Sequence, residues 1–107
     1  MLVVTTNDLP GYRVVKTFGV ARGLTVRSRS IVGNIGAAIQ IVFGGNITLY
    51  TKLAEQARQE AFDELIRQAE GMGANAVLAM RYDANEIAAA VTEVLAYGTA
   101  VEVEKVA

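Results

Sequence analysis

The spacing of apolar residues changes once between residues 48 and 83. Up to Met72, apolar residues recur in steps of three and four: Leu53, Ala54, Ala57, Ala61, Leu65, Ala69 and Met72, with Phe62 and Ile66 widening the stripe. Lys52, Glu55, Gln56, Gln59, Glu60, Asp63, Arg67 and Glu70 fall largely on the other side. That is the period of an amphipathic helix, about 23 residues and roughly 35 Å long. Asn46 or Thr48 can cap its start, and Gly71 and Gly73 can end it. The alanines make its apolar face flat. A flat stripe suits a helix seam between subunits, but the expected use of most of it is close packing on the chain's own sheet.

After Gly73 the period becomes that of strands. Residues 76–82 (AVLAMRY) are apolar on both faces until Arg81, which predicts a central strand. Residues 2–6 predict a first strand, residues 7–11 a turn built on Pro10 and Gly11, and residues 12–18 a second strand. Residues 19–23, bracketed by two glycines, predict a bend or bulge, and residues 24–30 an alternating strand. For residues 34–42 the spacing predicts a short helix, weakened by Gly33 and Gly36 at about 1 kcal/mol each, with Gly44-Gly45 reversing the chain. Residues 83–92 read as a polar, alanine-rich connection, a turn or a helical turn. The last strand is expected over residues 93–106, where Leu95, Tyr97, Thr99, Val101 and Val103 share a face and Gly98 marks a bulge or a close backbone approach.

The chain has 107 residues, enough for one domain and one modest core. It is 52% hydrophobic but only 7% aromatic, an apolar excess that burial between subunits would relieve. There is no cysteine and no histidine, which removes thiol chemistry, the usual general base near neutral pH and the preferred ligands of soft metals. Acid–base chemistry would fall to carboxylates, lysine or tyrosine, and no spacing calls for it, so a non-enzymatic protein is expected. Residues 1–6 lack a signal-peptide pattern, and the longest apolar stretch, residues 31–43, is interrupted and too short to span a bilayer. The expectation is a cytoplasmic protein without a membrane partner.

Net charge is −1, yet the charges are segregated. Residues 1–54 hold six basic residues and one acid, Asp8, whereas residues 55–107 hold four basic residues and ten acids. Either the basic half meets an anion, or the two halves neutralise each other within or between subunits. For the anion reading the candidate ligand-binding residues are Arg22, Arg27 and Arg29, with backbone N–H groups at Gly44 and Gly45. Asp83, Glu86 and Glu93 are the only clustered oxygen donors. They would suit a hard cation such as Ca²⁺ or Mg²⁺, or simply form a solvated loop. The arginines are not interleaved with aromatics and the net charge is negative, so no nucleic-acid partner is expected.

Several stretches in order carry a resemblance: Gly19-Val-Ala-Arg-Gly23, Phe43-Gly-Gly45, Tyr50 with Ala57-Arg58 and Ala61, Gly73-Ala-Asn-Ala-Val77, and Ala96-Tyr-Gly-Thr-Ala-Val101. Together they resemble the YbjQ-type family of small uncharacterised proteins, often labelled "putative heavy-metal-binding", over nearly the whole chain. The resemblance implies a single YbjQ-like domain over residues 1–107. Its fold would be α+β and two-layered: a curved antiparallel sheet on one long helix plus a short helix, like the dodecin subunit. It also implies a homo-oligomeric ring, commonly a pentamer, in which short extra strands join neighbours; a sheet apolar on both faces needs such cover, and residues 2–6 and 20–27 are the candidates for pairing between subunits. Three readings follow: a ligand- or metal-binding ring, a scaffold without a small ligand, or a small-anion-binding protein that uses the basic half. No particular cofactor is indicated.

Overall fold

The computed structural model describes residues 1–28, 47–89 and 91–106. Along them run β1 (Leu2–Val3), β2 (Tyr12–Ser28), α1 (Ile47–Gly71), β3 (Ala76–Ala88) and β4 (Val91–Lys105). The strands form one sheet in the order β1-β3-β4-β2, and α1 packs across one face, mainly over β2 and β4. The architecture is α+β as expected, but the sheet is mixed. β4 runs antiparallel to both neighbours, while β1 runs parallel to β3. A parallel pair needs a long crossover, and here β2 and α1 lie between the two strands in sequence. The expected short helix at residues 34–42, the Gly44-Gly45 reversal and the Asn46 cap lie outside the described residues. Thr48 falls inside α1 rather than at its cap.

The helix buries Ala57, Ala61, Leu65 and Ala69, one residue per turn, with Phe62 and Met72 packed beside them. Ala54 is exposed and lies outside the stripe. The small residues have a specific cause. A Cβ on Gly23 would sit inside the van der Waals radii of the Ala61 carbonyl oxygen and the Leu65 nitrogen. Strand β2 therefore crosses α1 backbone against backbone.

The helix ends in a Schellman turn. Gly73 takes φ +94°, its N–H donates to the Glu70 carbonyl at 3.0 Å, and the Ala74 N–H donates to the Ala69 carbonyl at 3.0 Å. Asn75 then imitates a strand residue with its side chain. Its Oδ1 accepts from the Val103 N–H at 2.8 Å, and its Nδ2 donates to the Val103 carbonyl at 2.9 Å. Leu9 to Tyr12 closes a turn with Pro10 second, Gly11 third at φ +86°, and the Tyr12 N–H on the Leu9 carbonyl at 3.0 Å.

The strands differ from the sequence expectations in three places. The first strand is two residues long rather than five. Strand β2 is continuous through residues 19–23, and its irregularities fall earlier, between Val14 and Lys16 and between Thr17 and Gly19. Residues 83–92 are not a turn: β3 continues to Ala88 and β4 starts at Val91. Alanine, asparagine and aspartate are poor strand formers alone, and pairing with β4 overrides that weakness.

Gly98 is a close approach beside a bulge in the neighbouring strand. The ladder passes from Leu78↔Thr99 to Arg81↔Tyr97, so Ala79 and Met80 stand opposite Gly98 alone. Ala79 has φ +54°, and a Cβ on Gly98 would come within 2.9 Å of the Leu78 carbonyl oxygen. The segment after β1 holds the bulge: the Ala79 N–H donates to the Thr6 carbonyl at 2.8 Å and the Met80 N–H to the Val4 carbonyl at 2.9 Å.

The Gly23 crossing generates a prediction. Gly23→Ala should lower stability by about 3 kcal/mol, because helix and strand must separate to admit a methyl group. Gly71→Ala, where no atom lies within 4 Å of the added Cβ, should be neutral or slightly stabilising. Urea denaturation of the two variants checks the contrast.

Candidate functional site

Residues directly opposite each other in a ladder share a face. Gly23, Ala96 and Tyr82 form one row, and Gly23 touches α1, so that row marks the helix side. The adjacent rows lie on the other side: Arg22–Tyr97–Arg81, then Leu24–Leu95–Asp83, then Val26–Glu93–Asn85. One end of this second face is covered by the N-terminal segment, where Val4 and Leu9 pack on Ala76, Leu78, Val101 and Val103. The other end is open. Val20 is 71% exposed, Leu24 50% and Val26 48%.

The charges of the two halves of the chain meet on the framework. Arg13 pairs with Glu104 across β2 and β4. Arg27 pairs with Glu60 on α1, and the Thr25 hydroxyl donates to the same carboxylate at 3.2 Å. Arg22 makes no ion pair among the described residues, and its backbone N–H donates to Gln68 Oε1 at 2.5 Å. Arg22 and Arg27 thus point to opposite faces of β2, because five positions is an odd step on a strand. The structure does not bring them together. Arg29, Gly44 and Gly45 lie outside the described residues.

Arg81 joins Arg22 instead. Its Nη1 donates to the Thr5 carbonyl and to the Met80 carbonyl, each at 2.8 Å. In the sequence Arg81 marks only the polar end of a central strand. Nothing along the chain relates it to Arg22, since the link is the register of β4 between them.

The carboxylates do not gather. Asp83 and Glu93 share the open face, whereas Glu86 stands opposite Thr92 on the helix side. Among the described residues no group of three acidic, histidine or cysteine side chains is placed to hold a metal ion. Every acid of the chain lies outside residues 29–46, and thiolate and imidazole donors are absent altogether. Within one chain the donor set does not fit a soft heavy metal.

Two further features bear on chemistry. Burial pushes the Tyr82 phenol up; Arg58 opposes that shift, while Glu55 and Asp63 add to it. Tyr82 therefore stays neutral at ordinary pH and is no ready base. The outer flank of α1 carries a shallow groove of about 300 Å³ lined by Asp63, Ile66, Arg67 and Glu70. Its charges have both signs, and Arg67 already pairs with Glu64.

A family model described as "Putative heavy-metal-binding", that of the YbjQ type, matches residues 1–104. A UPF0145 protein of Burkholderia thailandensis is 62% identical over 94% of this chain and 91% of its own length. UPF0145 proteins of Burkholderia mallei and Burkholderia pseudomallei are each 61% identical over the same shares. A crystal structure of a protein of unknown function from Pediococcus pentosaceus, of the DUF74 family, superposes with a TM-score of 0.57. It covers 97% of this chain and 98% of that one at 16% identity, which is a likeness of fold.

The donor set makes the metal question measurable. Calorimetric titration with Cu²⁺ or Cd²⁺ should show no stoichiometric binding tighter than about 10 μM, because thiolate and imidazole are missing. Tight one-to-one uptake would require carboxylates from several copies to converge on one ion.

Proposed function

The chain belongs to the YbjQ family, and from that premise we propose that it works as a non-enzymatic, homo-oligomeric binding protein: a closed cytoplasmic ring of dodecin-like subunits, five copies in the form the resemblance implies. The observation that carries this reading is the uncovered part of the sheet. Val20, Leu24 and Val26 leave apolar surface on the open face, each side chain worth about 2 kcal/mol if covered. At the other side of the sheet every residue from Arg81 to Ala89 is exposed, Tyr82 and Ile87 among them.

These two surfaces lie on opposite edges. Among the described residues strand β2 is one edge, and β3 becomes the other beyond the short β1 pairing at Ala76 and Val77. Joining the β2 edge of one copy to the β3 edge of the next is a head-to-tail contact, which closes into a ring when the rotation permits. The radius of gyration, 17.4 Å, supports a subunit shaped for neighbours. A compact chain of this length would have about 13 Å. Residues 20–27, expected to join neighbours, lie in this edge strand. Residues 2–6 are engaged with β3 of their own chain and are less suited to that task.

A ring of this kind would take a hard cation or an anion more readily than a soft metal, given its donors. Native mass spectrometry tests the assembly. The wild-type chain should give a closed oligomer, and Val20→Lys with Leu24→Lys should shift it to monomer while far-UV circular dichroism is kept. A wild-type monomer would overturn the reading.

A further inference from the structure

We propose that Arg22, Tyr97 and Arg81 form an oxyanion-binding row on the open face of the sheet, taking a carboxylate or phosphate group between the two guanidinium groups and against the tyrosine. The three residues are direct cross-strand partners, so their side chains rise from the same face in one line. Strands lie about 4.8 Å apart, which sets the two arginine backbones roughly 10 Å apart with Tyr97 between them. Two long guanidinium side chains can close that gap on a group the size of phosphate. Guanidinium suits this task because its planar fork offers parallel donors to paired oxygens.

The framework prepares both arginines differently. Arg81 is held: two carbonyls engage its Nη1, leaving Nε and Nη2 without an acceptor among the described residues. The Ala79–Met80 bulge sets its direction, and that bulge depends on a non-glycine residue at φ +54° and on the missing side chain of Gly98. A backbone held in a disfavoured conformation beside a tethered cation is a common way to aim a side chain. Arg22 is exposed and its guanidinium has no ion pair among the described residues, whereas Arg13 and Arg27 on the same strand both have one. The acids that share the open face nearby are Asp83, two residues from Arg81, and Glu93, one row farther. Asp83 competes with an anion and gives a second handle on the site.

The site deepens the binding-ring reading and rests on it for its purpose, but the row lies within a single chain. The test uses full-length protein labelled with ¹⁵N-arginine, titrated with inorganic phosphate and separately with benzoate at constant ionic strength. The side-chain Nε–H signals of Arg22 and Arg81 should move together and saturate with one dissociation constant. Arg22→Ala should weaken that constant at least tenfold, Asp83→Asn should tighten it two- to fivefold, and Arg27→Ala should leave it unchanged. Saturation by phosphate alone or by benzoate alone supports the row and identifies the anion class. Shifts at Arg22 no larger than those at Arg13 with both probes, or affinity that survives Arg22→Ala, overturn it. Native mass spectra of the same samples separate the two ideas: a ring without saturable shifts sinks the row alone, and a monomer with them sinks the ring alone.

Discussion

The crossing of β2 over α1 at Gly23 is the contact on which the rest of the subunit depends. There the two backbones touch without side chains between them. This explains why the buried helix stripe is mostly alanine, with Leu65 as its one large, fully buried side chain. It also places the helix over β2 and β4 rather than over the middle of the sheet. The far half of β3, from Arg81 onward, is then exposed, as are Val20, Leu24 and Val26 on β2. Close packing at one point and exposure at another are two results of one geometry.

A second constraint acts through the bulge opposite Gly98. Leu78 and Arg81 are three positions apart, and in an unbroken strand they would point to opposite faces. The extra residue restores the phase, so Leu78 packs under the N-terminal segment, Met80 enters the helix-side core and Arg81 emerges on the open face. A left-handed alanine costs about 1–2 kcal/mol. Burying an unpaired guanidinium under the helix would cost several times more. The bulge is therefore the cheaper solution for the order Leu-Ala-Met-Arg, and the same bulge puts a second cation beside Tyr97.

The family's description and this chain's chemistry fit together only in part. The chain has oxygen donors but neither thiolate nor imidazole, and its carboxylates are spread over both faces of the sheet and the helix. What one chain does assemble is positive. Once Arg13 and Arg27 are matched by Glu104 and Glu60, Arg22 is the arginine of β2 that remains without a carboxylate partner among the described residues. The segregation of charge along the chain thus has two outcomes. Much of it is mutual neutralisation within the framework, and a remainder faces outward.

The residue pattern alone determined the long helix, its glycine stop, the central strand from Ala76 and the crowding at Gly98, because each follows from periodicity or from the conformational freedom of single residues. The absence of thiolate and imidazole was equally plain in the composition. Only the tertiary structure decided what depends on register. The Asp83–Ala88 stretch is a strand because β4 pairs with it, although its residues favour turns. Arg22 and Arg27, neighbours in the sequence argument, are parted by the alternation of one strand. Arg22 and Arg81, 59 positions apart, are brought into one row by β4 between them. Periodicity is a property of a segment, whereas register is a property of the pair, and no single segment contains it.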